Sequence, residues 1–179
     1  MTSILCIGAS GFLGSYITSR FKADVAKSRF ESSSKCWKYA QTGSQPYDFV
    51  FLLARACRKE EPRRDGITML NEINGITKII NANPKAHIVF TSTKCVYGIS
   101  QQKRTITRDK LGNYFQLVLD GNFMNQTIDL PDRLDTLLPL LSSSLPKEHK
   151  IYSDTKICGE LLIRNCAASH TIMRIWDII

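Results

Sequence analysis

Gly8-Ala-Ser-Gly-Phe-Leu-Gly14 is the stretch that decides the fold of this chain. It follows Ser3-Ile-Leu-Cys-Ile-Gly8, a short apolar run that predicts a buried parallel strand. It leads into residues 12–21, in which apolar residues recur every four positions and predict a helix. A tight turn between strand and helix needs glycine, and it lets a phosphate approach main-chain N–H groups at the helix N-terminus. The stretch therefore predicts a dinucleotide-binding turn, although a plain structural turn has the same glycines.

Strands and helices alternate along most of the remaining chain. Apolar runs and helical periods predict further strands at 48–54, 87–91 and 171–176, and further helices at 66–82 and 152–168. Strands that alternate with helices are typical of an α/β fold with a parallel sheet. We expect a Rossmann-like, doubly wound parallel sheet that forms a single domain over residues 1–179.

Residues 99–150 depart from this rhythm and predict an atypical insertion. Asp120-Gly121 lies between two apolar segments and favours a hairpin turn. Leucines between Leu130 and Leu141 suggest a helix that is broken at Pro139. The polar residues 24–45 show no clear pattern.

The composition excludes several classes of protein. The chain has 179 residues, of which 43% are hydrophobic and 22% charged, and this much apolar content predicts a folded globular protein. No apolar run approaches the roughly 20 residues needed to cross a bilayer. The first residues lack the pattern of a secretory signal, so we expect a cytoplasmic protein. The six cysteines and three histidines are scattered, which predicts neither a disulfide framework nor a metal site.

The formal net charge of +8 is densest between Arg55 and Arg64. Charge runs of this kind are usually solvated surface, and a positive field also attracts phosphate-bearing small molecules. We expect no nucleic-acid partner, because neither interleaved aromatic residues nor a nucleic-acid-binding module accompanies the charge.

Two further motifs carry chemistry. In Tyr152-Ser-Asp-Thr-Lys156 the first and last residues lie one helical turn apart on one face, and a nearby ammonium lowers the pKa of a tyrosine from about 10. Such a tyrosine exchanges a proton with an alcohol or carbonyl oxygen. In Phe90-Thr-Ser-Thr-Lys-Cys-Val-Tyr-Gly98, the Thr93 hydroxyl follows a predicted strand, where ligands of α/β sheets bind. Taken singly, a Tyr–Lys pair on a helix surface and a threonine at a strand end are common structural features.

Taken together and in this order, the three motifs resemble those of the extended short-chain dehydrogenase/reductase family, the NAD(P)-dependent nucleotide-sugar epimerases and dehydratases. The resemblance implies that Thr93 polarises the substrate oxygen and that Tyr152 is the acid/base. It also implies that Lys156 holds the nicotinamide ribose and lowers the pKa of Tyr152.

The same resemblance implies a set of cofactor-binding residues. Those expected to line the pyrophosphate are Gly8, Ser10, Gly11, Phe12, Leu13 and Gly14. Ala54 is expected to face a ribose through its backbone. Glu31 suits the ribose diol of NAD, whereas Ser28 and Arg29 suit the 2′-phosphate of NADP, and we expect NADP to be slightly favoured over NAD.

The chain departs from the family pattern in further places. Glu72-Ile-Asn-Gly-Ile76 stands where the family usually has Asn in an Asn-Val-x-Gly-Thr-like segment, and Asn71 is adjacent. Thr93 and Tyr152 lie 59 positions apart, a longer gap than in the family. The resemblance also leads us to expect that the chain lacks the family's C-terminal substrate-binding part.

The sequence therefore predicts an NAD(P)-dependent oxidoreductase or isomerase that acts on a nucleotide-activated sugar, as an epimerase, dehydratase or 4-keto reductase. The alternative is a non-catalytic NAD(P)-binding or interaction module derived from the same family. The expected partners are a nucleotide-sugar or similar phosphorylated small molecule, together with a homodimer mate or a second chain that completes the substrate site. We expect no membrane partner.

Overall fold

The computed structural model of the chain describes residues 2–21, 23–26, 47–53, 66–97, 105–129, 147–175 and 177–178. The strands are β1 (Ile4–Ile7), β2 (Asp24–Ala26), β3 (Phe49–Leu52), β4 (His87–Thr93), β5 (Thr105–Ile106), β6 (Gln126–Asp129), β7 (Ser169–Ile175) and β8 (Asp177–Ile178). The helices are α1 (Phe12–Arg20), α2 (Gly66–Ala82), α3 (Arg108–Leu119) and α4 (Lys147–Cys166), and a 3₁₀ helix spans Lys94–Tyr97.

Six strands form one parallel sheet in the order β2-β1-β3-β4-β7-β6. The strands β5 and β8 pair in parallel as a second, two-stranded sheet. The chain moves from β1 outward to β2 and then returns to place β3 and β4 on the other side of β1, so the order reverses there. Ligands of open α/β sheets bind at such a reversal, beyond the carboxyl ends of the strands. The predicted α/β, doubly wound parallel sheet is confirmed.

Both faces of the sheet are buried, and residues alternate between them. Leu5 and Ile7 belong to a core cluster that includes residues of α2 and α4. Ile4 and Cys6 belong to a second cluster on the opposite face, with residues of α1 and α3. Burial raises the pKa of Cys6 to about 12, so this cysteine stays a neutral thiol and serves as a small core residue.

The structure corrects the hairpin prediction within residues 99–150. The first apolar segment is part of α3, and Gly121, with φ +78°, lies in the turn that follows this helix. The next strand, β6, pairs in parallel with β7 at the edge of the main sheet. The hairpin was wrong because Leu111, Phe115 and Val118 recur with the helical period and are all buried. The helix suggested for 130–141 lies outside the described residues.

The other predicted elements are confirmed with small shifts of their ends. The helix α2 has the predicted bounds, and β4 runs on through Thr93. The helix α4 begins five residues before Tyr152, at Lys147, and ends at Cys166. A strand that the sequence did not predict, β2, lies inside the polar segment 24–45.

Candidate functional site

The turn between β1 and α1 lies so close to the first turn of α1 that only glycine fits at position 14. Gly8 has φ +95°, and its carbonyl accepts a hydrogen bond from the Gly11 N–H at 3.0 Å. A Cβ added to Gly14 would lie 2.0 Å from the Gly8 oxygen and 2.5 Å from the Cα of Ala9. The first turn of α1 therefore lies against the end of β1, at the edge of the sheet where the strand order reverses.

The N-terminus of α1 is open toward this edge. Gly11 is its N-cap, and within the described residues no side chain caps it and no acidic residue lies in its first turn. Ser10 and Gly11 are exposed, and the Phe12 side chain is 49% exposed. Uncapped N–H groups and the positive end of the helix dipole form an anion-binding arrangement. The glycine turn thus fits the pyrophosphate that the sequence predicted there.

A second helix begins beside α1. The guanidinium carbon of Arg108 lies 4.1 Å from the centroid of the Phe12 ring. One turn further along both helices, a Cβ on Gly112 would lie 2.4 Å from the Tyr16 hydroxyl. The two helices therefore run side by side with their N-termini at the same end, and Arg108 brings a positive charge next to the glycine turn. The sequence alone does not indicate this contact, because no pattern near Arg108 links it to the glycine turn.

Thr93 ends β4 at the same edge of the sheet. Its side chain is buried, and Oγ1 accepts a hydrogen bond from the Cys95 N–H at 3.3 Å. The 3₁₀ helix follows directly. The Ser153 hydroxyl donates to the Cys95 carbonyl at 2.7 Å, which ties the helix α4 to this 3₁₀ helix. Tyr152, the half-buried neighbour of Ser153, therefore lies on a part of α4 that is hydrogen-bonded to the residues just after Thr93.

Lys156 lies in the interior between α4, α2 and β4. Its ammonium donates to Glu72 Oε1 at 3.0 Å, and both side chains are buried. The same nitrogen lies 4.7 Å from the centroid of the Phe90 ring. A Cβ on Gly159 would lie 2.9 Å from the tip of that ring, so this glycine lets α4 approach β4 closely. The structure thus gives Lys156 an acidic partner that the sequence analysis had noted only as a departure from the family pattern.

A second buried ion pair lies one helical turn further along α4. The Arg174 guanidinium donates to both Glu160 oxygens, at 3.0 and 2.7 Å, and to the Tyr97 hydroxyl at 2.6 Å. Burial opposes its charge, but the bonds to Glu160 and Tyr97 outweigh burial and raise the pKa of Arg174. This network joins α4, β7 and the 3₁₀ helix. Sequence reasoning missed it, because its members lie far apart in the chain and none belongs to a motif.

Some predicted residues lie outside the described part of the chain. They are Ser28, Arg29, Glu31, Ala54 and the basic cluster 55–64. Among the residues that the structure does describe, no group of three or more histidine, cysteine or acidic side chains is arranged to hold a metal ion. In the same residues, no helix is long and apolar enough to cross a membrane.

Comparisons with known proteins give matches in structure and none in sequence. The sequence matches no protein-family model and no curated protein. The structure is similar to the UDP-Glc/GlcNAc 4-epimerase from Campylobacter jejuni, with a TM-score of 0.59, 14% identity, and coverage of 97% of this chain and 53% of that one. It is also similar to RMD from Pseudomonas aeruginosa complexed with NADPH, with a TM-score of 0.58, 16% identity and the same two coverages.

A third similar structure is the UDP-glucose 4-epimerase from Brucella ovis in complex with NAD, with a TM-score of 0.52 and 12% identity. That match covers 92% of this chain and 47% of the epimerase. The chain therefore spans about half the length of the solved structures it matches. At these identities the similarity establishes the shared Rossmann-like fold, as the resemblance of the motifs implied.

Proposed function

We propose that this chain binds NAD(P) at the carboxyl edge of its parallel sheet, across the turn between β1 and α1. The observation that carries the proposal is the contact at Gly14, where any side chain would collide with the main chain of Gly8. This close turn is followed by the uncapped N-terminus of α1, which suits a pyrophosphate. Gly8, Ser10, Gly11, Phe12, Leu13 and Gly14 would line the pyrophosphate.

The reaction we propose is redox chemistry at a carbon of a nucleotide-activated sugar, as in an epimerase, a dehydratase or a 4-keto reductase. The resemblance of the motifs to the extended short-chain dehydrogenase/reductase family supports it, as does the likeness in fold to two sugar-nucleotide 4-epimerases. NAD(P), when bound, supplies the hydride acceptor or donor. The chain itself would bind and orient the cofactor and the sugar, and would protonate the reacting oxygen.

Three side chains take the proposed roles. Tyr152 moves a proton to or from the reacting hydroxyl or carbonyl oxygen, as a general acid/base. Thr93 donates its hydroxyl hydrogen to the same oxygen and polarises it. Lys156 holds the nicotinamide ribose. The hydrogen bond from Ser153 to Cys95 supports these roles, because it holds α4 beside the 3₁₀ helix that directly follows β4.

The cofactor we propose is NADP in preference to NAD, with Arg29 at the 2′-phosphate and the Ala54 backbone at a ribose. The similar solved structures include one complex with NADPH and one with NAD, so they support either dinucleotide as the cofactor. We expect Arg29→Ala to weaken NADPH binding more than NADH binding. Equal losses for the two dinucleotides would refute this assignment.

A second candidate is a non-catalytic NAD(P)-binding module. One observation favours it: the Lys156 ammonium already contacts the Glu72 carboxylate, which offsets the positive charge that would activate Tyr152. In the catalytic alternative, residues 99–150 or a partner chain such as a homodimer mate would contribute to the substrate wall. Both candidates share the dinucleotide site and differ only in turnover.

One experiment separates the two candidates. The purified chain is titrated with NADPH and NADH and assayed for turnover of nucleotide-4-keto sugars, alongside Tyr152→Phe. A catalytic chain retains cofactor binding in Tyr152→Phe and loses about a hundredfold or more in turnover. Tyr114→Phe is the matched control, since it removes a hydroxyl from a residue that packs on Phe123 in the core. Binding without any turnover that depends on Tyr152 would instead favour the non-catalytic module.

A further inference from the structure

Glu72 and Lys156 form an ion pair whose side chains are almost wholly buried. The two residues come from different helices, α2 and α4, and their charged atoms lie 3.0 Å apart. Only a few per cent of either side chain is exposed. A buried ammonium without an anion tends to lose its proton, and a buried carboxylate without a cation tends to gain one. In this pair each residue offsets the buried charge of the other.

The pair also fixes where the ammonium lies. Lysine has a long, flexible side chain, and a single contact leaves it several rotamers. Here the nitrogen contacts the Glu72 carboxylate and faces the Phe90 ring at 4.7 Å. Gly159 adds to the constraint, since its missing side chain lets α4 lie against the Phe90 ring. The ammonium is thus positioned by two elements, α2 and β4, other than its own helix.

The position of the pair relates it to the proposed site. Lys156 lies one helical turn after Tyr152 on the same face of α4, and Phe90 precedes Thr93 by three residues on β4. The pair therefore lies near the proposed acid/base along α4 and, through Phe90, near the end of β4 that carries the proposed polarising hydroxyl.

We propose that Glu72 is a positioning residue for the nicotinamide half of the bound dinucleotide. It acts through Lys156, whose ammonium it contacts and holds in place for the nicotinamide ribose. The inference rests on the proposed function, because it takes Lys156 as a ribose contact. It assigns to Glu72 a role that its departure from the family pattern alone did not indicate.

The test compares a whole dinucleotide with its adenosine half. The affinities of the wild type and Glu72→Gln are measured for NADPH and for adenosine 2′,5′-bisphosphate, which has no nicotinamide ribose. We expect Glu72→Gln to bind NADPH about tenfold or more weakly, as for a lost hydrogen bond to a charged group. Its affinity for the bisphosphate should stay within about twofold of the wild type. NADH and AMP serve as the pair of ligands if the wild type prefers NADH.

Two further variants distinguish a loss of Lys156 positioning from a general loss of folded structure. Glu160→Gln breaks a second buried ion pair of α4, with Arg174, and should leave the ratio of the two affinities unchanged. Glu72→Asp keeps the carboxylate on a shorter side chain, so it should show an intermediate loss for NADPH. It also keeps the proposal testable if Glu72→Gln does not fold, because the charge remains in the interior.

The outcomes are distinguishable. Equal losses for both ligands in Glu72→Gln, or no loss for either, would overturn the positioning role and leave the proposed function standing. The same ratio in Glu72→Asp as in the wild type would also count against it. A wild type that binds neither NADPH nor NADH would refute the proposed function itself.

Discussion

Arg108 stacks on Phe12, and this contact joins the first residues of two helices. The guanidinium carbon is 4.1 Å from the ring centroid, a distance at which a cation is attracted to the face of an aromatic ring. The ring in turn belongs to the glycine turn that we propose as the pyrophosphate site. A residue from the region 99–150, which the family resemblance did not cover, thus brings a positive charge to the edge of the sheet at which we propose that the cofactor binds.

We expect Arg108→Met to weaken NADPH binding by about three- to tenfold, because it removes a positive charge near the phosphates. Isothermal titration at low and high salt measures the effect, which should shrink as salt screens the charge. Lys110→Met is the matched control, since it removes a charge from an exposed position on the same helix. If both variants lose affinity equally, the effect comes from net charge and Arg108 has no specific role.

Gly14→Ala should destabilise the folded chain by about 2 kcal/mol or more, because its Cβ would lie on the Gly8 carbonyl and force α1 away from β1. Urea unfolding followed by circular dichroism gives the free energy of unfolding. Gly11→Ala is the comparison, since its Cβ would meet the same oxygen at 3.3 Å, which a small shift relieves. The expectation fails if the two substitutions cost the same.

His87 lies at the opposite, amino edge of β4 and is held as a neutral ring. Its Nε2 lies 2.9 Å from the Thr171 hydroxyl and its Nδ1 2.7 Å from the Ser169 hydroxyl. Thr171 donates its hydrogen to the Phe123 carbonyl, so Nε2 carries the ring hydrogen and Nδ1 accepts from Ser169. Burial, with a smaller contribution from the nearby His170, lowers the pKa of His87 from 6.5 to about 4.

This lowered pKa predicts a loss of stability in mild acid. Well above pH 6.5, His87 is neutral in both the folded and the unfolded chain. Between pH 6.5 and about 4, the unfolded chain binds a proton at His87 and the folded chain does not. The folded state should therefore lose about 2 kcal/mol from this residue between pH 7.5 and pH 5.

Urea unfolding of the wild type and His87→Gln at the two pH values tests the prediction. His170 also has a lowered pKa and remains in the variant, so the difference between the two chains isolates His87. The free energy of unfolding should depend less on pH in His87→Gln, by about 2 kcal/mol over this interval. An unchanged pH dependence would contradict the assignment.

The order of strands and helices could be predicted because each element has its own local pattern of apolar residues. The apolar run before Gly8, the helical period of residues 66–82 and the strand ending at Thr93 each depend on neighbours within a few positions. The same local reasoning failed at Asp120-Gly121. A short apolar segment beside a turn dipeptide fits a strand as well as a helix, and only burial against the sheet chooses between them.

The sequence by itself determined the α/β class, the glycine turn and the identity of the residues proposed for chemistry. Only the tertiary structure decided what those residues touch. Glu72 and Lys156 are 84 positions apart, and Arg108 meets Phe12 across two separate helices. Such contacts depend on how α2, α3 and α4 pack on the two faces of the sheet. That packing is set by the sum of many weak apolar contacts, so no single motif encodes it.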